Sequence, residues 1–335
     1  MILGLMTLGV SLQIWTSAVD CYVAHLMIEL KGERSKERLH AVDQLADLGA
    51  LAKKAVPSLL MTLDDPTAAG ADRACLALEM IGADAVPELS KALDSKNDVR
   101  KSKILTILGN IGSDARAAAP MIRKALESED VITRLDAAKC MSRIDPTDKD
   151  ATRVLVQMLK QKERTRRFRA ACALSRMKHD GEQAIPVLLE AIQTEYENNI
   201  DREYQLHEGW IALYRVAGNA SKFAKDLESI YSSYGDKEEQ GGILLVSSCA
   251  ISKIDGANKQ AMDRVKAGYA ELAKYARSND ESWARFGFEV LQSMDLKNPE
   301  AAAVARDLIH DTLQSRHSLV RTLSRSLQRK LSGND

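Results

Sequence analysis

This 335-residue sequence predicts an all-α fold, an α-solenoid of about eight stacked helical hairpins ending in a C-terminal capping helix. Three observations predict it. The composition is 45% hydrophobic but only 4% aromatic, with 7 prolines, which suits many small-residue helix contacts. Prolines recur at Pro57, Pro87, Pro120 and Pro186, the last interval being twice the one before it, and each opens a similar apolar run. Ahead of each run lies a second apolar stripe with helical spacing.

In chain order, the stretch 1–19 carries no charged side chain, and Thr16-Ser17-Ala18 resembles the small-residue end of a secretory signal. The basic segment that normally opens such a signal is missing. Thr7, Ser11, Gln13, Thr16 and Ser17 interrupt the stretch, so no stable membrane span is expected. Residues 1–18 are therefore read as a signal peptide or as a first helix.

Residues 19–193 are the regular array. The runs at 58–63, 88–93, 121–126 and 187–192 are joined by 154–159, where Arg153 takes the proline slot, and by 25–30, one repeat length before the first. The helix preceding each run shows its stripe as Ala41, Leu45, Leu48; Ala74, Leu78, Ile81; Ile104, Leu108, Ile111; Ala137, Met141, Ile144; and Ala170, Leu174, Met177. Spacings of four and three mark one helical face. Gly49, Gly82 and Gly112 follow their stripes, where a left-handed residue ends a helix, and proline opens the next helix where its missing N–H costs nothing. The interval from Pro57 to Pro87 is shorter than the next because Gly82 and Pro87 are three positions closer than their counterparts. A single hairpin cannot bury its stripe, so neighbours must stack.

Residues 194–335 form longer, degenerate repeats. Leu213, Ile251 and Leu291 are equivalent at intervals of 38 and 40, and 318–331 reads as the capping helix. Of 15 aromatic residues, only Trp15, Tyr22 and Phe168 precede residue 195. Trp210, Tyr214 and Phe286 fall in or beside apolar stripes, which favours a bulkier core over an aromatic binding face.

The segments Asp98-Val99-Arg100 through Leu108-Gly109-Asn110-Ile111-Gly112 and Ala117-Ala118-Ala119-Pro120 through Ala125-Leu126 resemble HEAT repeats of bacterial type. They are most similar to the short HEAT-like repeats named after phycobilisome lyases, and the resemblance covers residues 24–192. It implies a binding scaffold with no fixed chemistry.

Formal charges balance at 47 basic and 47 acidic residues, so no net field draws the whole molecule to nucleic acid or an anionic membrane. Charge is nevertheless unevenly placed: residues 101–180 hold 18 basic against 10 acidic side chains. Lys160, Lys162, Arg164, Arg166, Arg167 and Arg169 crowd one window, and Arg38, Lys101, Arg134 and Arg167 share a register position. Arg134 and the six residues of the window are the candidate partner-binding residues. The competing reading is that such cations pair with acidic residues of neighbouring repeats.

No catalytic constellation emerges. Cys21, Cys75, Cys140, Cys172 and Cys249 are scattered without a C-x-x-C pair, and Cys75 occupies a packing position. His207-Glu208 is the one His-Glu pair, whereas HEAT-repeat deoxyhypusine hydroxylases carry several that together hold two irons. His25, His40, His179, His310 and His317 are isolated. No metal and no cofactor is expected.

The expectation is a non-catalytic scaffold binding an extended protein segment along the second helices, where Ser90, Arg123, Val156 and Leu189 are equivalent, as are Lys91, Lys124, Gln157 and Glu190. One alternative is nucleic-acid binding through residues 160–169, as in HEAT-like DNA glycosylases, although overall neutrality makes nucleic acid a poor partner. The other is an enzyme, a metal-dependent hydroxylase or a bilin lyase. Export to the periplasm or beyond is the favoured location, with the cytoplasm as the alternative.

Overall fold

The computed structural model describes residues 12–32, 34–64, 68–95, 97–197, 203–216, 299–313 and 318–332, with single positions 277, 288, 291 and 296. It divides into two compact bodies, Met1–Asp145 and Pro146–Asp335, and the division falls inside the regular array.

The N-terminal body contains α1 (Leu12–Glu29), α2 (Ser35–Leu48), α3 (Val56–Thr62), α4 (Ala68–Ile81), α5 (Val86–Ala92), α6 (Asp98–Ile111), α7 (Ala119–Leu126) and α8 (Val131–Ile144). Its first helices α2, α4, α6 and α8 pack in sequence order, each against the next. The expected stripe is the core: Ala41, Leu45, Ala74, Leu78, Ile81, Ile104, Leu108, Ala137, Met141 and Ile144 are all at most 2% exposed. Leu48 and Ile111, at the helix ends, are half-buried. Each fully buried Leu or Ile contributes about 1.5–3 kcal/mol. Gly109 lets α6 approach α8 closely, since a Cβ there would sit 3.3 Å from the Cys140 Cα.

The connection inside each hairpin differs from the simple turn expected. Gly49 and Gly112 do have positive φ, at 55° and 74°, but their ψ values of −131° and −139° lie outside the left-handed helical region. Each glycine instead opens a 3₁₀ segment, Gly49–Ala55, Gly82–Ala85 or Gly112–Ala118, which delivers the chain to the proline in the first turn of the second helix. The middle segment has 4 residues where its neighbours have 7, which accounts for the shorter interval between Pro57 and Pro87. Gly112→Ala tests this conformation cleanly, because nothing lies within 4 Å of the added Cβ. The backbone strain alone should cost about 2 kcal/mol, read as a lowered urea midpoint; an unchanged midpoint would show that the glycine is not required.

Successive repeats are also tied by polar rungs. Lys54 reaches Asp20 at 2.7 Å, Lys124 reaches Asp94 at 2.9 Å, and Arg73 and Arg100 pair with Asp43 and Asp64. Asn110 donates to Glu79 at 2.6 Å and accepts from Arg143, and Lys103 donates to the Leu63 carbonyl at 2.7 Å. Exposed pairs of this kind are individually weak, about 0–1 kcal/mol each. Their sequence separation of 30 to 40 residues shows where many of the balanced charges go: onto the next repeat.

The C-terminal body contains α9 (Lys149–Met158), α10 (Arg164–Leu174), α11 (Ile185–Glu197), α12 (Glu203–Val216), α13 (Pro299–Thr312) and α14 (Ser318–Leu331). Helix α9 begins four residues before the Arg153 slot, because Asp148 caps it by accepting the Ala151 N–H at 2.8 Å. Among α10 to α12, Ala170, Leu174, Leu188, Trp210 and Leu213 are wholly buried. Trp210 is thus a core residue, as its stripe position predicts, and Tyr214 is half-buried. Phe286 and residues 247–254 lie outside the described residues; Phe288 and Leu291, within the next expected stripe, are buried. Helix α14 falls where the final helix was expected and packs on α13. Among the described residues, no helix is long and apolar enough to cross a membrane.

Candidate interaction surface

The register-equivalent cations have a structural use. Three of them sit in the first turn of a first helix and reach back to the turn that precedes it. Arg38 donates to the Gly32 carbonyl at 3.1 Å, Arg134 to Ser128 and Glu129 at 2.6 and 3.1 Å, and Arg167 to Gln161 and Lys162 at 3.2 and 3.1 Å. A guanidinium, with several N–H groups in a fixed fork, is suited to bridging such carbonyls. Lys101, whose ammonium lacks that fork, pairs with Asp98 at 2.9 Å instead. Charge at this position therefore fastens the joint between hairpins.

Arg134 belongs to the N-terminal body and fastens the turn whose Asp130 caps α8 by accepting the Thr133 N–H at 2.6 Å. That bond holds the Asp130 carboxyl below its ordinary value. Because the folded-state value is depressed, the stabilisation is fully present above the unfolded carboxylate range, near pH 4, and is lost as pH falls through the lower folded value. Asp130→Ala should therefore cost about 1 kcal/mol at pH 7. Denaturation at acid pH should show the variant and parent converging, and a gap that persists when the carboxyl is protonated would contradict the cap.

The other six cations belong to the C-terminal body. Arg167 also donates to Glu190 on α11 at 2.8 Å, and Arg164 lies 3.9 Å from the same carboxylate. Arg166 pairs with Glu163 at 2.5 Å, and Arg169 is half-buried. Lys160 and Lys162, in the turn between α9 and α10, are exposed and have no ion-pair partner among the described residues. The structure thus brings Arg164, Arg167 and Glu190 together and leaves Lys160, Lys162 and the outer edge of Arg164 towards solvent.

The second-helix positions are equally mixed. Lys91 pairs with Glu88 on its own helix, Lys124 reaches back to Asp94, and Glu190 accepts from the first helix of its own hairpin. Sequence reasoning missed two residues on this face. Ile28 and Met61 are 70% and 72% exposed, the highest values for large hydrophobics among the described residues. Their sequence signal was present but unread: both stand at the register position of Lys91 and Lys124.

Two of the thiols are held protonated. Burial, with a contribution from Glu79, pushes the Cys75 thiol up to about 12, and burial raises Cys140 as well. Cys172 is buried and Cys21 exposed, while Cys249 and the His207 side chain lie outside the described residues. Among the described residues, no three His, Cys, Asp or Glu side chains converge as metal ligands would.

Helical hairpins stacked through a repeated stripe, with a glycine and a 3₁₀ segment joining their helices, define the class: an all-α repeat protein of solenoid type. Comparison supplies the repeat. Residues 87–175 match the family of HEAT repeats, and residues 166–194 match the PBS lyase HEAT-like repeat. Residues 87–194 therefore carry HEAT and HEAT-like repeats, the last of them of the phycobilisome-lyase kind. No curated protein matches it. Among solved structures, it is similar to an engineered protein at 19% identity, covering 95% of this chain and 91% of that one, with a TM-score of 0.39. It is similar to a chain of a homology model of the full-length AP-3 complex in an intermediate open conformation at 16% identity, covering 88% of this chain and 54% of that one, with a TM-score of 0.43. The complex of CpcE and CpcF of phycocyanin lyase from Nostoc aligns at 14% identity over 73% of this chain and 92% of that one, with a TM-score of 0.48. At these identities and scores, none of the three carries an argument about what this chain binds.

Proposed function

We propose that this protein is a non-catalytic scaffold that binds an extended segment of a partner protein on the surface of its stacked helices. The observation that carries the reading is the division of labour among the cations. Several basic side chains at the repeat joints are spent on carbonyls or on the neighbouring repeat, whereas Lys160 and Lys162 cluster exposed at one joint beside Arg164, which is itself exposed and 3.9 Å from Glu190. Charged groups left solvated steer and select an oppositely charged partner. Nucleic acid fits less well, because a neutral chain gains little from releasing counterions over a short basic window.

The test is affinity isolation of the full chain from its native cells after mild cross-linking. Lys160→Glu, Lys162→Glu and Arg164→Glu together should reduce recovery of the protein partner at least tenfold, with the thermal melt unchanged. Nucleic acid recovered in place of protein, or a partner retained by the triple variant, would refute the assignment of these residues. The scaffold is further proposed to work outside the cytoplasm, on the strength of the uncharged stretch 1–19 and its Thr16-Ser17-Ala18. Native protein whose N-terminal sequence begins at Met1 would overturn that location.

A further inference from the structure

In the N-terminal body, one surface position recurs on every second helix. It is Ile28 on α1, Met61 on α3, Lys91 on α5 and Lys124 on α7. All four protrude to the same degree: Ile28 and Met61 are 70% and 72% exposed, and the side chains of Lys91 and Lys124 are 74% and 70% exposed. Single exposed hydrophobics are ordinary, but two at the same position of adjacent repeats mark out an apolar end to the track. Beside Met61 lies a hollow of about 390 Å³, with buried Leu30 in its wall and with Lys31, Arg38 and Asp64 around it. Asp64 is held by Arg100 and Arg38 by the Gly32 carbonyl, whereas Lys31 is exposed with no ion-pair partner among the described residues.

From α1 to α7 the track therefore reads apolar, apolar, basic, basic. The two lysines are paired with Glu88 and Asp94 at 2.8 and 2.9 Å, but every member of these pairs is well exposed. Such exposed pairs are individually weak, so a partner's carboxylate can displace either acid at little cost. Packed helices are about 8–10 Å apart, and a chain in the extended polyproline II conformation advances about 3.1 Å per residue with three residues per turn, so every third side chain points the same way. Every third residue of a segment bound in that conformation then meets the next helix.

We propose that this track binds an extended segment of a partner protein that carries large apolar side chains at its first and fourth positions and carboxylates at its seventh and tenth. This rests on the scaffold reading above and adds to it the composition and order of the segment. A polyanion of uniform charge would set phosphates against Ile28 and Met61. The stated segment satisfies all four positions, and its leading apolar side chains cover Ile28, Met61 and the adjoining hollow.

The experiment is fluorescence anisotropy of the full chain with two labelled twelve-residue peptides of identical composition. One has leucine at positions 1 and 4, glutamate at 7 and 10, and serine elsewhere; the other has leucine at 1 and 10 and glutamate at 4 and 7. The first should bind at least tenfold more tightly. Ile28→Asp with Met61→Asp should abolish that preference. Lys91→Glu with Lys124→Glu should weaken the first peptide about tenfold, and replacing its glutamates by lysine should restore binding to that variant. Melting curves matching the parent confirm that the variants fold. Equal binding of the two peptides, no binding of the first, or indifference to the substitutions would overturn the proposal. So would self-association lost in Ile28→Asp with Met61→Asp, which would assign the face to a second copy, or displacement of the first peptide by a mixed-sequence DNA oligonucleotide. If the track fails while the Lys160, Lys162 and Arg164 variant still loses its cellular partner, the scaffold reading stands without it.

Discussion

Leu108→Ala is expected to lower stability by about 3–5 kcal/mol, the largest loss from any single truncation considered for the N-terminal body. Leu108 is wholly buried on α6, the first helix packed between α4 and α8. Deleting three heavy atoms removes their transfer free energy and leaves a cavity, whose cost depends on how far the walls can close. Here closure is resisted: at the adjoining Gly109, a Cβ on α6 would already stand within 3.3 Å of the Cys140 Cα. Stacked repeats are stabilised by nearest neighbours, so weakening the middle one uncouples both flanks. Urea denaturation followed by circular dichroism measures the loss. A change well below the range usual for a buried leucine would mean that the stack collapses onto the truncated side chain, contrary to the close approach of these helices.

Gly209→Val is the second. Helix α12 lies flush against α10 and α11 at Gly209, where even a Cβ would come 3.1 Å from Ile192 Cγ1 and 3.3 Å from Phe168 Cε2. Valine adds two more carbons in the direction of a buried ring and a buried branched chain, forcing them off their rotamers or the helices apart. Overpacking of this kind costs about 1–3 kcal/mol and occasionally more, and the upper end is expected here. Gly209→Ala should be nearly neutral, because a small shift of Ile192 is offset by the gain of up to about 1 kcal/mol in helix propensity. The contrast is diagnostic. If both variants melt together with the parent, α12 does not pack as described.

The hairpin pattern was legible because its signals are local. A stripe at spacings of four and three, a glycine and a proline are each read from a few consecutive residues, and their recurrence located nearly every helix of the regular array. The 3₁₀ segments were not legible. Ala- and Lys-rich stretches such as Gly49–Ala55 have no strong preference between a turn and a helix, and it is the positive φ of the glycine, ψ included, that decides their path. The early start of α9 was missed for a related reason. Asp148 caps the helix and so relocates its first turn, while the register comparison followed Arg153.

The candidate site was legible only in part. Equivalence of Arg38, Arg134 and Arg167 could be read by counting, but the carbonyls they bind come from turn geometry, which counting does not supply. Ile28 and Met61 were hidden inside runs in which four of six residues are apolar. Which member of such a run remains uncovered depends on the neighbouring repeat, and that is a property of the stack rather than of the segment.

The two lengths of the 3₁₀ connector, 4 and 7 residues, differ by one full turn of a helix that has three residues per turn. Removing that turn shortens the connector by about 6 Å while returning the chain with the same heading. Insertions and deletions within these hairpins are therefore quantised: a change of three residues is a change of reach alone, whereas one or two would rotate the second helix and turn its apolar face out of the stack. The connector behaves as a ratchet whose only allowed step is a whole turn, and its count sets how far each second helix extends without altering which side it presents.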